Sequence, residues 1–422
     1  MTQLKDVSRT ILNYYQSRGL RVLSSKAPQY TRERLPYSLW PPLLKDPRNR
    51  ADEVVTLPEK PSLDVEYRGE SRESAPRQLR NFEGTISSPD NHVYVYEDVE
   101  VVGRAPVARI DGRYLLPSWF GVDTAFFVHQ MKFMKRVIPL SRVLKHSLFG
   151  AEPARHIDHA FILNSERGSY RYCWFHETIP KLRWYEEYCE VTGETPTLIV
   201  NSPLRDFQRR SLELLGYDSS QWIEHGHEIS HVDRLAVAPH PIRLEGNPSS
   251  GFASEIQWAG ERIVSNLPDV DTTFSKRVYI SRADASRRRV QNEEEVIDLL
   301  ESRGFEAYEP GRFSLEEQIK LFAGADIIVG PHGLAYVNLM FCDSDTSVVE
   351  LFAQDGCDES YFVLANEYDM DYECMVCESI FTGENSRAIN NDIVVDVDGL
   401  ETIVDSLIEK HETESTVAPT SD

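Results

Sequence analysis

The chain has 422 residues, with 68 acidic and 45 basic side chains and a formal net charge of −23. This length suggests two or three domains, and a hydrophobic fraction of 41% is typical of globular proteins and excludes general disorder. The acidic surplus repels phosphate backbones and argues against nucleic-acid partners. No apolar run reaches the ~18 residues that span a bilayer, and the first residues lack a secretory signal, so we expect a cytoplasmic protein.

The first 245 residues divide into two segments. Residues 1–84 are rich in Pro, Arg and Glu and predict an N-terminal wrapping segment with one helix near residues 7–17. Residues 85–245 alternate between β-like runs such as TLIVN and helical stretches, and they predict a first α/β domain.

The alternation is clearer in residues 246–395, which predict a second α/β domain facing the first across a cleft. RVYIS, FEAYEP, ADIIVG and SVVELF predict four strands with helices between them, a Rossmann-like half. Asn292 and the Ser314-Leu-Glu-Glu317 capping box mark the starts of two helices. Residues 396–422 predict a C-terminal helix and a polar tail.

The cysteines and histidines give no strong metal motif. Cys374 and Cys377 have CxxC spacing, but no second pair completes a zinc site, so buried apolar cysteines are the favoured interpretation. The pairs His156/His159 and His225/His227 lack a third ligand in the sequence and are interpreted as surface histidines. We therefore expect no metal ion.

The most informative turn is Gly330-Pro331-His332-Gly333, where an apolar strand leads directly into a helix. Ligands of open α/β sheets bind beyond the carboxyl ends of the strands, and a helix N-terminus there suits a diphosphate. His332 would donate a hydrogen bond to a phosphate oxygen. The alternative is a turn in which the glycines only permit the bend.

A second cluster joins Ser281-Arg282 to the run Arg287-Arg288-Arg289 and to Asn292-Glu293. Guanidinium groups bind diphosphate bidentately, although a solvated loop paired with surplus acids is the alternative. Glu350 ends the next strand and would accept from ribose hydroxyls, with a salt-bridge role as its alternative.

These segments together resemble the family-61 glycosyltransferases, a family that includes capsular-polysaccharide-type enzymes. The resemblance covers about residues 155–355. The residues that carry it are Tyr279-Ile280-Ser281-Arg282, Arg289, Asn292-Glu293, Gly304-Phe305, Ser314, Glu317-Gln318, Ala325-Asp326, Gly330-Pro331-His332-Gly333, Asn338 and Glu350-Leu351.

The resemblance implies a GT-B fold in which residues 246–395 bind a nucleoside-diphosphate sugar and residues 85–245 form the acceptor side. It implies an inverting transfer without an obligatory metal or cofactor. The implied donor-binding residues are Ser281, Arg282, Arg289, Asn292, Glu293, Gly330, His332, Gly333, Asn338 and Glu350. The expected acceptor is a surface glycan, lipid-linked oligosaccharide or polysaccharide, with the protein in the cytoplasm or at the inner face of the membrane.

A first-domain motif of the same family, H-[WF]-x-x-[DE]-x-x-P-[RK]-L, aligns with the stretch that begins at Cys173 and Trp174. Cys173 stands where the family has histidine. Glu177 matches the acidic position and His176 lies one residue before it, so both are candidates for the base that deprotonates the acceptor. Because of Cys173, a catalytically silent nucleotide-sugar-binding subunit of a glycan-assembly complex stays the alternative.

The make-up of the charge predicts a dependence on salt. The chain has only 11 Lys against 34 Arg, and this Lys-poor, acidic composition indicates a halophilic, archaeal source, with an ordinary acidic enzyme as the alternative. Salt screens the repulsion among surplus carboxylates, so the melting temperature should rise from dilute buffer to molar KCl. A flat or falling melting temperature in thermal unfolding would contradict this prediction.

Overall fold

The computed structural model describes residues 48–69, 75–86, 91–115, 153–164, 168–226, 228–239, 253–354, 356–381 and 388–417. They form a mixed α/β protein with two main sheets and a short hairpin. The helix predicted near residues 7–17 lies outside this range. Among the described helices, none is both long and apolar enough to cross a membrane.

The first sheet contains eight strands within the described residues. Strands β7, β8, β9 and β10 are parallel, in the spatial order β9-β8-β7-β10, and β10 pairs antiparallel with β4, which also pairs with β1 and leads to β5 and β6. Strands β2 and β3 form the hairpin. The strands are β1 (Glu53–Thr56), β2 (Leu63–Val65), β3 (Gly84–Ile86), β4 (His92–Val102), β5 (Val107–Ile110), β6 (Arg113–Leu115), β7 (Arg155–Leu163), β8 (Thr197–Asn201), β9 (Trp222–His225) and β10 (Ile229–Val237).

The second sheet confirms the four strands predicted after residue 246 and adds two more. Its order is β12-β11-β13-β14-β15-β16, parallel except for β16 at the edge. The central strand β14 is buried at all seven positions, which explains why it is apolar except for Ser347 and Glu350. The strands are β11 (Arg277–Ile280), β12 (Glu306–Tyr308), β13 (Ile327–Pro331), β14 (Ser347–Ala353), β15 (Asp371–Ile380) and β16 (Asp392–Val394).

This strand order defines where a ligand can bind. Counted from β11, the parallel strands run 2-1-3-4-5, the order of a doubly wound sheet. The chain leaves β11 toward β12 on one side, while β13 lies on the other. A crevice opens at such a switch point, beyond the carboxyl ends of the two strands.

Helices pack against both sheets. The α-helices are α1 (Arg77–Arg80), α2 (Arg171–Cys173), α3 (Lys181–Thr192), α4 (Asp206–Leu214), α5 (Ala253–Ser265), α6 (Glu293–Glu301), α7 (Leu315–Ala323), α8 (Ser360–Glu367) and α9 (Val397–Val417), and short 3₁₀ helices span Arg48–Arg50, Pro310–Arg312, Leu334–Phe341 and Ala388–Asn390.

Two of these segments differ from the sequence prediction. Leu334–Phe341 winds as a 3₁₀ helix, tightly packed between the sheet and α5: a Cβ on Gly260 of α5 would lie 1.7 Å from the Met340 carbonyl oxygen. One of the helical stretches expected within residues 85–245 begins as a π turn, Trp174–Thr178. Pro180 has no N–H to donate to the His176 carbonyl four residues earlier, and the Thr178 hydroxyl donates to the Cys173 carbonyl at 3.0 Å.

The two halves share one hydrophobic core. A continuous cluster of buried apolar side chains includes Phe161 and Leu163 from the first sheet and Ile280 and Ile328 from the second. Large apolar burial between the sheets favours one rigid unit over two freely moving domains. The groups at the switch point are therefore held against the π turn of the first half.

The N-terminal segment crosses both halves. Lys60 forms ion pairs with the buried carboxylates of Glu187 in α3 and Glu255 in α5, and the Tyr67 hydroxyl donates to Glu373 Oε2 of β15 at 3.0 Å. These contacts attach residues 57–69 to the first half, the second half and the helix between them.

The two cysteines and His225 are buried, and His227 lies outside the described residues. Cys374 and Cys377 are three residues apart on β15, so they point to opposite faces, and burial raises the pKa of each thiol to about 12. This confirms the buried-cysteine interpretation. The surface interpretation of His225 is wrong: it is fully buried, with its ring nitrogens 2.8 Å from the Gly103 carbonyl oxygen and 3.0 Å from the Ser230 hydroxyl.

Candidate functional site

The candidate site lies at the switch point of the second sheet. Ser281 and Arg282 follow β11 directly, and His332 and Gly333 follow β13. Both loops leave the carboxyl ends of neighbouring parallel strands, so they meet at the same edge. The structure thus brings together the two clusters that the sequence indicated separately.

Two guanidinium groups occupy this edge without a salt bridge to any carboxylate in the part of the chain that the structure describes. Among the described residues, neither Arg282 nor Arg288 forms a salt bridge, and the Nε atom of each is buried without an acceptor. Arg282 donates to the Arg287 carbonyl at 3.3 Å, and Arg288 donates to the His332 carbonyl at 3.4 Å. Burial lowers the pKa of both groups, and the charge of Arg288 lowers the pKa of Arg282 further. The arrangement is suited to an anion that supplies the missing acceptors.

Gly333 makes room for one of these arginines. A Cβ at this position would lie 2.2 Å from Nη1 of Arg282, so the guanidinium rests directly over the turn. The 3₁₀ helix Leu334–Phe341 begins at the next residue, and N–H groups of a first helical turn have no acceptor within the helix. Guanidinium and free N–H groups therefore face the same crevice.

His332 is fixed by a buried carboxylate. Its Nδ1 atom lies 2.5 Å from Oε1 of Glu350, and the other carboxylate oxygen of Glu350 accepts from the Tyr372 hydroxyl at 2.6 Å. The ring of His332 also stacks on Phe352, with centroids 5.3 Å apart. Because Nδ1 is committed to Glu350, Nε2 is the ring nitrogen left to meet a ligand. Glu350 is fully buried and both of its oxygens are occupied, so the geometry favours this orienting role over contact with a ribose.

Tyr361 of α8 connects this site to the first half. Its ring centroid lies 5.6 Å from that of His332 and 6.2 Å from that of His176. The hydroxyl interacts electrostatically with Arg282 and Arg288, and burial raises its pKa well above the ordinary value. It is therefore a neutral polar group beside the arginine pair.

Arg289 is held in a structural contact instead of facing the arginine pair. Its Nε and Nη2 atoms donate to Oδ2 of the buried Asp392 at 3.1 and 2.8 Å. The backbone N–H of Arg289 donates to the other oxygen at 2.9 Å. Arg289 thus anchors its loop to β16. Arg288 occupies the position in the site that the sequence assigned to Arg289.

Four other predicted donor residues support the loops: Ser281, Asn292, Glu293 and Gly330. Asn292 exchanges two hydrogen bonds of 2.9 Å with the backbone of Val395 and does not cap α6 with its side chain. The Glu293 carboxylate accepts from the hydroxyls of Tyr279 and Ser281 at 3.0 Å each. Gly330 lies inside β13, where a Cβ would be 2.9 Å from the Ile280 carbonyl oxygen. These contacts shape the site, and none of them presents a group to the crevice.

Asn338 contacts Arg171, an arginine that the sequence analysis did not identify as a candidate. Its Oδ1 atom accepts from Arg171 at 3.2 Å, and its amide donates to Gln318. Arg171 stacks over the rings of Phe175 and Phe207, and burial lowers its pKa to about 10. Among the described residues, this guanidinium has no carboxylate partner. Arg171 is a third partly buried guanidinium without a salt bridge among the described residues, and it comes from the first half.

The candidate bases differ in accessibility. His176 is 2% exposed, and its Nε2 atom lies 3.3 Å from the Val337 carbonyl oxygen, which makes Nε2 the protonated nitrogen. Burial lowers the pKa of His176 to about 4, so the ring is neutral at pH 7. Glu177 is partly exposed on the same π turn. The geometry therefore favours Glu177 as the residue that an acceptor can reach.

The comparison with protein families agrees with these positions. Residues 172–349 match the family model described as Glycosyltransferase 61, a span that contains the π turn, the arginine loop and the glycine turn. No curated protein matches the chain. The match supports a glycosyltransferase, and such enzymes in general use a nucleotide-sugar donor and a glycan acceptor.

The burial of His176 predicts a pH dependence of stability. The folded chain holds the pKa of His176 at about 4, below the ordinary value of about 6.5, so protons bind the unfolded state preferentially. The stability that His176 provides is complete above about pH 6.5 and is lost as pH falls toward 4, with a total of about 3 kcal/mol. The free energies of unfolding of the wild type and of His176→Phe, measured in urea, should therefore differ by an amount that changes between pH 4 and about pH 6.5. Parallel pH profiles of the two free energies would contradict the assignment.

Proposed function

We propose that this protein transfers a sugar from a nucleoside-diphosphate sugar to a glycan, with inversion at the sugar carbon and without an obligatory metal. The observation that carries the proposal is the pair Arg282 and Arg288, which are partly buried, adjacent and without a salt bridge to any described residue at the switch point. The positive charge of this arginine pair is of the right sign for a diphosphate, and the family match supports sugar transfer.

The donor diphosphate would lie between the arginine pair and the first turn of the Leu334–Phe341 helix. Both guanidinium groups gain acceptors for their unsatisfied N–H groups there. The absence of a side chain at Gly333 lets a phosphate approach the backbone N–H groups. Binding also relieves the repulsion between the two cations.

Departure of the nucleoside diphosphate leaves negative charge on the phosphate. Arg282 and Arg288 are preorganised to meet that charge, because the protein holds them in place before the reaction. His332, oriented by Glu350 through Nδ1, would place Nε2 at the same phosphate group and donate to it when the ring carries both protons. Loss of one such donor typically slows an enzyme about 10²–10³-fold.

Attack by the acceptor requires removal of a hydroxyl proton. We assign this step to Glu177, which would take the proton as the acceptor oxygen bonds to the sugar carbon on the face opposite the diphosphate. His176 would support the π turn through Val337, so that Glu177 keeps its position. A general base typically contributes about 10²–10⁴ in rate.

The same proposal includes the fold type, the acceptor and the cellular location. The sheet of β7–β10 and the doubly wound second sheet support two Rossmann-like domains of the GT-B type. We propose a surface glycan, lipid-linked oligosaccharide or capsule-like polysaccharide as the acceptor. The proposed location is the cytoplasm or the inner membrane face of a halophilic archaeon.

The donor site is tested by comparing three arginines of one loop. Arg282→Ala and Arg288→Ala should each weaken binding of a nucleoside diphosphate at least tenfold, consistent with loss of about 1.5–3 kcal/mol for a charged hydrogen bond. Calorimetric titration measures this change. Arg289→Ala is the matched control: it should destabilise the fold through Asp392 and leave affinity within about twofold. Equal losses of affinity in all three variants would contradict the site.

The base is tested by a substitution that keeps shape and removes basicity. Glu177→Gln should lower the turnover number by about 10²–10⁴ and leave donor affinity nearly unchanged. Glu190→Gln, an exposed position on α3, is the matched control and should retain full turnover. Normal turnover of Glu177→Gln in a donor-consumption assay would show that another group takes the proton.

A further inference from the structure

The first sheet brings together two histidines that lie far apart in the sequence. His156 stands at the amino end of β7 and His231 at the amino end of β10, and the parallel register pairs these two residues directly. Their rings stack with centroids 5.1 Å apart and an interplanar angle of 24°. Neither residue belongs to the candidate donor site, which lies at the carboxyl edge of the other sheet.

Both rings direct the same atom at one carboxylate. Nε2 of His156 lies 2.8 Å from Oδ1 of Asp233, and Nε2 of His231 lies 3.2 Å from that same oxygen. Two nitrogens and one oxygen, all within 4.8 Å of one another, form a converging set of three donor atoms. The third donor atom that the pair His156/His159 does not offer in the sequence comes from β10.

We propose that His156, His231 and Asp233 bind a divalent transition-metal ion, with Zn²⁺ as the best match. Two imidazole nitrogens and one carboxylate oxygen are a donor set typical of zinc and poorly suited to Mg²⁺ or Ca²⁺. Zinc bonds of about 2.0–2.1 Å in a tetrahedron place neighbouring ligand atoms about 3.3 Å apart. The observed separations of 2.8 and 3.2 Å require only a small widening.

The surroundings supply what such an ion needs. When Nε2 binds the metal, the proton of His156 moves to Nδ1, and Asp158 Oδ1 lies 3.5 Å from that atom. A carboxylate in this position orients a metal-binding imidazole. Asp98 Oδ1 lies 3.6 Å from Nε2 of His231, close enough to fill the fourth position directly or through water. These exposed carboxylates also attract a cation to the site.

The consequence is a link across three strands. Asp98 belongs to β4, His231 and Asp233 to β10, and His156 to β7, so one ion would tie the antiparallel and parallel parts of the sheet together. The ion would bind at the amino end of the strands and would stabilise the fold without taking part in sugar transfer. Its presence is independent of the proposed function.

The experiment titrates the metal-stripped full chain with Zn²⁺ by calorimetry and with Co²⁺ by visible absorption. We expect one saturable Zn²⁺ per chain, ligand-field bands of bound Co²⁺, and a rise in melting temperature with Zn²⁺. His231→Gln and Asp233→Asn should lower the affinity at least tenfold, and Asp158→Asn about tenfold. His159→Gln, on the same strand as His156, is the matched control and should bind like the wild type.

Two results would overturn the proposal. One is a wild-type chain that shows no saturable binding of Zn²⁺ or Co²⁺. The other is binding that His231→Gln and Asp233→Asn retain at wild-type affinity, which would assign the ion to other ligands. Circular dichroism of each variant shows that it is folded, so that loss of binding is read as loss of ligands.

Discussion

The guanidinium groups of Arg282 and Arg288 lie close together at the switch point, partly removed from water and without a salt bridge among the described residues. Near a protein surface, two like charges about 4 Å apart repel by about 4 kcal/mol, and burial adds the cost of desolvation. The fold maintains this arrangement through neutral contacts: the Arg287 and His332 carbonyls, the bare backbone of Gly333 and the hydroxyl of Tyr361. A bound diphosphate relieves this repulsion. The surrounding groups of the site are therefore arranged around an anion.

The same arginines contrast with the charge of the whole chain. With a net charge of −23, the protein repels an anionic donor at long range and attracts it only within reach of the arginine loop. Salt screens interactions beyond about 10 Å at 0.1 M and leaves short, buried contacts largely intact. High salt therefore favours both the approach of the donor and the compact fold. Arg171 of the first half extends the positive region toward the π turn that carries Glu177.

Local patterns were sufficient to predict much of the second half. Short runs rich in β-branched and aromatic residues predict the four strands β11–β14, and the capping box at Ser314 is present with both of its hydrogen bonds. The resemblance located the two loops of the site. The sequence did not show which arginine of the run Arg287-Arg288-Arg289 faces the site, because Asp392, which binds Arg289, is about a hundred residues away. The contacts of Arg171 with Asn338 and of His231 with His156 could not be predicted from the sequence either, because they depend on helix packing and on strand register.

The central claim is that a diphosphate binds between the arginine pair and the first turn of the Leu334–Phe341 helix. A crystal structure of the chain with a nucleoside diphosphate tests this claim most directly. We predict phosphate oxygens within hydrogen-bond distance of the Arg282 and Arg288 guanidinium groups and of the backbone N–H groups after Gly333. A nucleotide bound with its phosphates away from both arginines would contradict the account.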